Sequence, residues 1–276
     1  MRIAQIVGDG VRLNKYLSEM GVCSRREADR LIAAGEVTVD GRPGEMGMQV
    51  DGTMEVVCHG VRVGGEPRPV LLAVNKPKGV VCTTTGHDRA PNIVELVGYP
   101  LRVYPIGRLD KESRGLVLLT NQGDLVNKVL RATLGHEREY VVRIDRMVTE
   151  RMMETMRGGM ELGREGASKM RRGTPPGDGG ASETPGPDGE VGDGTVRTLP
   201  CKVTRAGSRS FRIVLTQGLN RQIRRMCRAL GVGVRDLRRE RIMNIRLGEL
   251  APGEYREIKG PELEMFLGEL GSAKKS

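Results

Sequence analysis

Apolar and polar positions alternate at helical spacing early in the chain. Leu13, Tyr16, Leu17 and Met20 recur on one side, with Arg12, Lys15 and Glu19 displaced from them, which predicts a short amphipathic helix ending at Gly21. A second helix is expected at once: Ser24 and Glu27 have capping-box spacing, Ala28, Leu31 and Ile32 supply an apolar face, and Gly35 stops it. Val37 and Val39 then alternate into Asp40-Gly41, a hairpin signal. Residues 60–69, rich in Gly and Pro, read as a hinge linker. From Val70 onward, short β-branched runs alternate with helical segments such as 124–131, where Leu125, Val126, Val129 and Leu130 line one side. The pattern predicts an α+β chain: a helix-helix-hairpin module at 10–59, a larger mixed domain at 70–270 and a tail at 271–276. Residues 173–194 hold 8 Gly and 4 Pro and almost no large apolar side chain. They cannot bury enough surface to offset ordering entropy, so a disordered surface insertion is expected there.

Composition narrows the class of partner. The 45 Lys and Arg outnumber 35 Asp and Glu, giving a formal charge of +10, which favours a polyanion. Five scattered cysteines without a C-x-x-C pair and three separated histidines show no zinc-ligand spacing, so no metal is expected. An odd cysteine count fits reduced thiols in a cytoplasm. The first ten residues are too short and polar for a signal peptide, and no apolar run is long enough to span a bilayer, so no membrane association is expected.

Two segments carry candidate chemistry. Gly107 to Asn121 reads GRLDKESRGLVLLTN, which puts Asp110 on a loop between the apolar stretch Val103 to Ile106 and the strand-like run Gly115 to Leu119. Alone, such an Asp is an ordinary turn residue. Arg221, Arg224, Arg225 and Arg228 fall on one helical stripe, and Ile223, Met226, Cys227 and Leu230 on another about 200° away at about 100° per residue. One stripe packs and the other awaits an anion, because four arginines with no intervening acid repel one another.

The Gly-Arg-Leu-Asp segment resembles the catalytic motif of the pseudouridine synthases, in particular the RsuA/RluB/RluE/RluF branch. Val74 to Gly79 (VNKPKG) is similar to that family's N-K-P-x-G turn, and Gln217 to Cys227 (QGLNRQIRRMC) to its last active-site motif. Arg239 to Asn244 (RERIMN) resembles the RluF type. Arg12 to Leu17 and Ser24 to Ile32 resemble the R-L-[DN]-K-x-L and S-R-x-x-A-x-x-L-I patterns of the RNA-binding domain first seen in small-subunit ribosomal protein S-four.

The resemblance implies a central mixed, largely antiparallel sheet flanked by helices. It implies Asp110 as the catalytic carboxylate, Arg224 as its basic partner and Tyr140 as the ring that stacks on the target uracil. Arg108 is implied in base extrusion, and Lys76 and Lys78 along the RNA path. Arg12, Lys15, Arg25, Arg26 and Arg30 of the module, with Arg221, Arg225 and Arg228 of the stripe, are expected to contact RNA.

The implied reaction converts a specific uridine in large-subunit (23S) ribosomal RNA, free or in an assembling subunit, to pseudouridine. A bacterial monomeric enzyme without cofactor is expected, with a transfer RNA as a further candidate substrate. The isomerisation cleaves the glycosidic C–N bond and rejoins uracil through C5 with no net redox change. A glycosidase would need a second carboxylate to activate water, and the only acid nearby, Glu112, lies in a polar turn. The competing reading is a non-catalytic RNA-binding or ribosome-assembly factor on the same scaffold.

Overall fold

A computed structural model of the chain describes residues 10–64, 68–83, 90–130, 135–163 and 195–272. The insertion expected at 173–194 lies outside the described residues. The N-terminal module contains β1 (Val11–Arg12), α1 (Leu13–Glu19), α2 (Arg25–Ala33), β2 (Val37–Val39), β3 (Arg42–Pro43), β4 (Gln49–Val50), β5 (Val56–Cys58) and β6 (Val61–Val63). Ser24 Oγ accepts the Glu27 N–H at 3.2 Å, which opens α2 as its spacing predicts. Asp40 and Gly41 adopt φ of 48° and 75°, the left-handed pair that a two-residue hairpin between β2 and β3 demands. Leu13, Leu17, Ala28 and Ile32 close on Val37, Val39, Val50 and Val56 to give the module its own core.

One boundary differs from expectation. Residues 61–63, expected within the linker, form β6, which pairs with β5 and completes the four-stranded sheet β3-β2-β5-β6. The surrounding glycines and prolines masked a short V-R-V alternation.

The second part contains β7 (Leu71–Lys76), α3 (Ile93–Val97), β8 (Tyr104–Pro105), β9 (Arg114–Thr120), α4 (Gly123–Leu130), β10 (Arg138–Ile144), α5 (Glu150–Arg157), β11 (Glu161–Leu162) and β12 (Val196–Arg197). It continues through β13 (Lys202–Gly207), β14 (Ser210–Leu215), α6 (Gln222–Ala229), β15 (Val234–Ile242), β16 (Ile245–Arg246), β17 (Tyr255–Glu257) and α7 (Gly260–Ser272). α7 therefore includes residues 271–272, which were expected in the tail.

Seven strands run β13-β14-β10-β15-β9-β7-β17, with β16 added beside β15 and β8 beside β9. Among the described strands of this sheet only β15 and β9 pair in parallel, so the sheet is mixed and largely antiparallel. Val117 and Leu119 of β9 enter one core while Leu116 and Leu118 enter the other, which is why this strand reads as an uninterrupted apolar run. Helices α3, α5 and α6 cover the first face through Ile93, Met152, Met156, Ile223 and Met226. Helices α4 and α7 cover the second through Leu125, Val129, Phe266 and Leu270. Each such side chain, fully buried, contributes about 2 kcal/mol. Leu130, expected on the buried side of α4, is 45% exposed.

Gly115 sets the parallel contact. Its φ is 105°, and a Cβ there would lie 2.3 Å from the Arg239 carbonyl oxygen across the β9–β15 pair. The loop bearing Asp110 enters the sheet at this close approach.

Candidate active site

The loop between β8 and β9 is tied down at several points. Gly107 takes φ of 75°, Leu109 is buried in the core beneath α6, and the buried Ser113 donates its N–H to the Asp110 carbonyl at 3.0 Å. The Asp110 carboxylate itself is 34% exposed, open enough to meet a substrate. Arg224 Nε lies 3.6 Å and Arg221 Nη1 3.8 Å from Asp110 Oδ2. Both distances exceed hydrogen-bond reach, so the two guanidinium groups act on the carboxylate through charge.

What fixes Arg224 is the loop itself. Its Nη2 donates to the Glu112 carbonyl at 3.1 Å and to Ser113 Oγ at 3.0 Å, while its Nε is buried and has no hydrogen-bond partner among the described residues. The same arginine therefore clasps the backbone after Asp110 and faces the carboxylate. Arg221 reaches the site from the N-cap of α6 with φ of 48°, a left-handed conformation uncommon outside glycine. Such an outlier is held by surrounding structure and is typical of functional sites.

Lys76 corrects an expectation. It was expected to line an RNA path, yet it is 0% exposed, and its ammonium donates to the carbonyls of Pro77 at 2.9 Å, Val80 at 2.7 Å and Lys111 at 3.4 Å. Burial pushes its pKa down to about 8, against opposing pulls from Cys82 and Asp110. Lys76 thus joins the turn after β7 to the residue following Asp110, and Gly79 N–H adds a second tie to the Lys111 carbonyl at 2.9 Å. The sequence held a signal for this, because Leu72, Val74 and Lys76 share one strand face and the first two are core residues.

Tyr140 lies on β10, two strands from β9, and packs against the core cluster that also holds Leu109 and Ile223. Arg239, directly opposite Tyr140 in register, sets its guanidinium 6.0 Å from the ring centroid. Arg239 is 4% exposed and donates Nε to the Leu116 carbonyl at 2.6 Å, so it links Tyr140 on β10 to β9, the strand that follows the Asp110 loop. The sequence places Arg239 in the RERIMN segment and gives it no role. Among the described residues no group of three or more His, Cys, Asp or Glu side chains is placed to hold a metal ion.

Comparison with known proteins identifies the family. Residues 70–229 match the RNA pseudouridylate synthase family, and residues 11–56 match the S4 domain. The chain belongs to the RNA pseudouridylate synthase family. It is 44% identical to the dual-specificity RNA pseudouridine synthase RluF of Escherichia coli (strain K12), over 92% of this chain and 77% of that protein. It is 29% identical to ribosomal large subunit pseudouridine synthase B of Bacillus subtilis (strain 168), over 92% of this chain and 94% of the relative. A crystal structure of pseudouridylate synthase superimposes with a TM-score of 0.60 at 25% identity, covering 92% of this chain and 99% of that one.

The synthase uses several expected RNA contacts differently. Lys15 pairs with Asp124 of α4 at 3.0 Å and with Glu19 at 3.6 Å, and Arg102 donates to Ser18 Oγ at 3.1 Å, so this side of the S4 domain meets the catalytic domain. Arg225 donates Nη2 to the carbonyls of Leu162 and Gly163 at 3.1 and 2.8 Å, fastening α6 to the end of β11. Arg30 pairs with Glu27 at 2.6 Å but keeps an exposed side chain. Lys78 bonds Asp236 of the central strand β15 at 2.8 Å. Arg12, Arg25, Arg26, Arg108 and Arg228 are exposed. The RERIMN segment builds the β15–β16 hairpin, with Arg241 held by Glu137 and Glu139 and Asn244 donating to the Glu262 carbonyl at 2.9 Å.

Proposed function

We propose that this synthase isomerises a specific uridine of 23S ribosomal RNA in the cytoplasm, with Asp110 as the catalytic carboxylate. The observation that carries the reading is the solvent-accessible Asp110 carboxylate facing Arg224 and Arg221 at 3.6 and 3.8 Å. During the reaction the N1–C1′ bond breaks, the uracil turns, and a C5–C1′ bond forms; C5 loses its proton to water and N1 gains one. Asp110 serves at the anomeric carbon or on a neighbouring ribose proton, roles that need its charge. Arg224 and Arg221 orient that carboxylate. Tyr140 supplies the stacking face for the flipped base, and Arg108 at the exposed rim assists extrusion. The likeness to a large-subunit synthase supports the ribosomal target, and the likeness to dual-specificity enzymes supports a second RNA substrate, for which a transfer RNA is the candidate.

Asp110→Asn tests this on RNA tritiated at uracil C5. Tritium release is expected to vanish while RNA affinity stays within a few-fold, because the amide keeps shape and loses charge. Turnover near that of the wild type removes Asp110 from the mechanism. Mapping pseudouridines in ribosomal RNA from cells with and without the protein identifies the target, and an unchanged 23S map refutes it.

A further inference from the structure

The sheet has two faces, and its second is only partly covered. Helices α4 and α7 close over β7, β9 and the end of β15, while toward β10 and β14 the face carries exposed Arg143 and Arg212. Register places Arg114, Arg238, Val141 and Arg212 side by side across β9, β15, β10 and β14. The next row on the same face is Asp236, Arg143 and Ser210. Tyr140 and Arg239 pair in the alternate position, so these rows lie opposite the uracil-stacking face.

Cations outnumber carboxylates along part of this face, although Glu139 pairs with Arg212 beside it. A groove of about 580 Å³ is lined by Lys78, Arg114, Arg143, Arg235 and Arg238, with Asp236 as its one carboxylate. That carboxylate is already saturated: Arg114 bonds it at 2.7 Å and Lys78 at 2.8 Å. Although burial alone would raise its pKa, these bonds bring Asp236 down to about 2. Arg238 is paired with Glu240. Arg143 and Arg235 are exposed, and neither guanidinium group has a hydrogen bond or ion pair among the described residues, although the Arg235 carbonyl accepts from Lys78 Nζ at 3.4 Å. Arg238 also stands directly opposite Arg114, and like charges in that position repel. The arrangement is costly alone and favourable beside a polyanion.

We infer that this groove is a second phosphodiester-binding surface for the same RNA, gripping backbone that continues from the flipped nucleotide around the end of the sheet. The inference rests on the proposed RNA substrate. Continuity favours RNA over an acidic protein. Arg114 follows the catalytic loop directly, and Lys78 precedes Gly79, whose N–H holds the Lys111 carbonyl beside Asp110. The row of four strands extends about 14 Å at about 4.8 Å per strand, enough for several nucleotides. Phosphate contacts of this kind position RNA without reading its bases.

The test uses the full chain with Arg143→Gln and Arg235→Gln together, on an in vitro transcript of large-subunit RNA. Two lost phosphate contacts should weaken binding roughly tenfold and reduce the slope of log K against log salt by about 1.4 to 1.8. The double Lys variant should keep the wild-type slope. A control of equal charge, Lys128→Gln with Arg151→Gln, should bind as wild type, because both residues are exposed on helices away from the groove. Unchanged affinity and slope in the Gln variant overturn the inference and leave an acidic protein as the occupant to consider. An equal loss in the control also overturns it, since net charge would then explain the effect. Single-turnover isomerisation at saturating RNA is measured in parallel and should be unaffected. Failure of the wild type to isomerise any uridine would sink the proposed reaction while the binding result still judged the groove.

Discussion

Replacing Lys76 by Met removes a buried charge while keeping all but the last atom of its length, and the effect on stability should depend on pH in a calculable way. In the unfolded chain a lysine titrates near 10.4; in the fold Lys76 titrates at about 8, because burial penalises its charge. Between these values the unfolded chain binds more protons than the native state, so the wild type gains stability as pH rises. At about 1.4 kcal/mol per pH unit, the full cost of keeping Lys76 charged is about 3 kcal/mol at pH 7, falling to about 1.4 kcal/mol at pH 9.5. Wild type should therefore gain about 2 kcal/mol on Lys76→Met across that range, since other titrating groups cancel in the difference. The variant also leaves the carbonyls of Pro77, Val80 and Lys111 without this donor, a roughly pH-independent cost of about 1 to 3 kcal/mol. Urea unfolding of both proteins at the two pH values measures the difference. A gap constant to within about 0.5 kcal/mol would refute the assignment of Lys76 as a buried, titrating tie of the Asp110 loop. Turnover should fall in the variant as well, because the Lys111 carbonyl adjoining Asp110 loses an anchor.

Two further outcomes follow from the same geometry. Arg224→Ala should lose about 2 kcal/mol of stability, as the bonds to Glu112 and Ser113 disappear, and about a hundredfold in single-turnover rate; an unaltered rate would make Arg221 the partner of Asp110. Gly115→Ala should destabilise by about 3 kcal/mol or more in a thermal or urea melt, because φ of 105° and a contact of 2.3 Å with the Arg239 carbonyl leave no room for a methyl group; a loss below about 1 kcal/mol would show that the parallel pair can separate without cost.

The sequence by itself determined the features that depend on neighbours along the chain. The Ser24 cap, the Asp40-Gly41 turn and the apolar stripe of α6 are local: each follows from side chains within a few residues whose spacing matches one backbone period. Family motifs likewise carried Asp110 and Arg224 to one site, and the fold brings them to 3.6 Å. Tertiary structure decided what each cation does. Lys15, Lys76 and Arg225 look like free charges in the sequence, but partners more than 30 residues away claim them: Asp124, the Lys111 carbonyl and the Leu162 carbonyl. The basic rows behind Tyr140 were equally invisible, because Arg114, Arg143, Arg212 and Arg238 come from four strands and become neighbours only through register. Charge is written in composition, but whether a lysine binds substrate or braces a loop depends on burial and on which backbone carbonyls lie within reach, and those are set by long-range pairing.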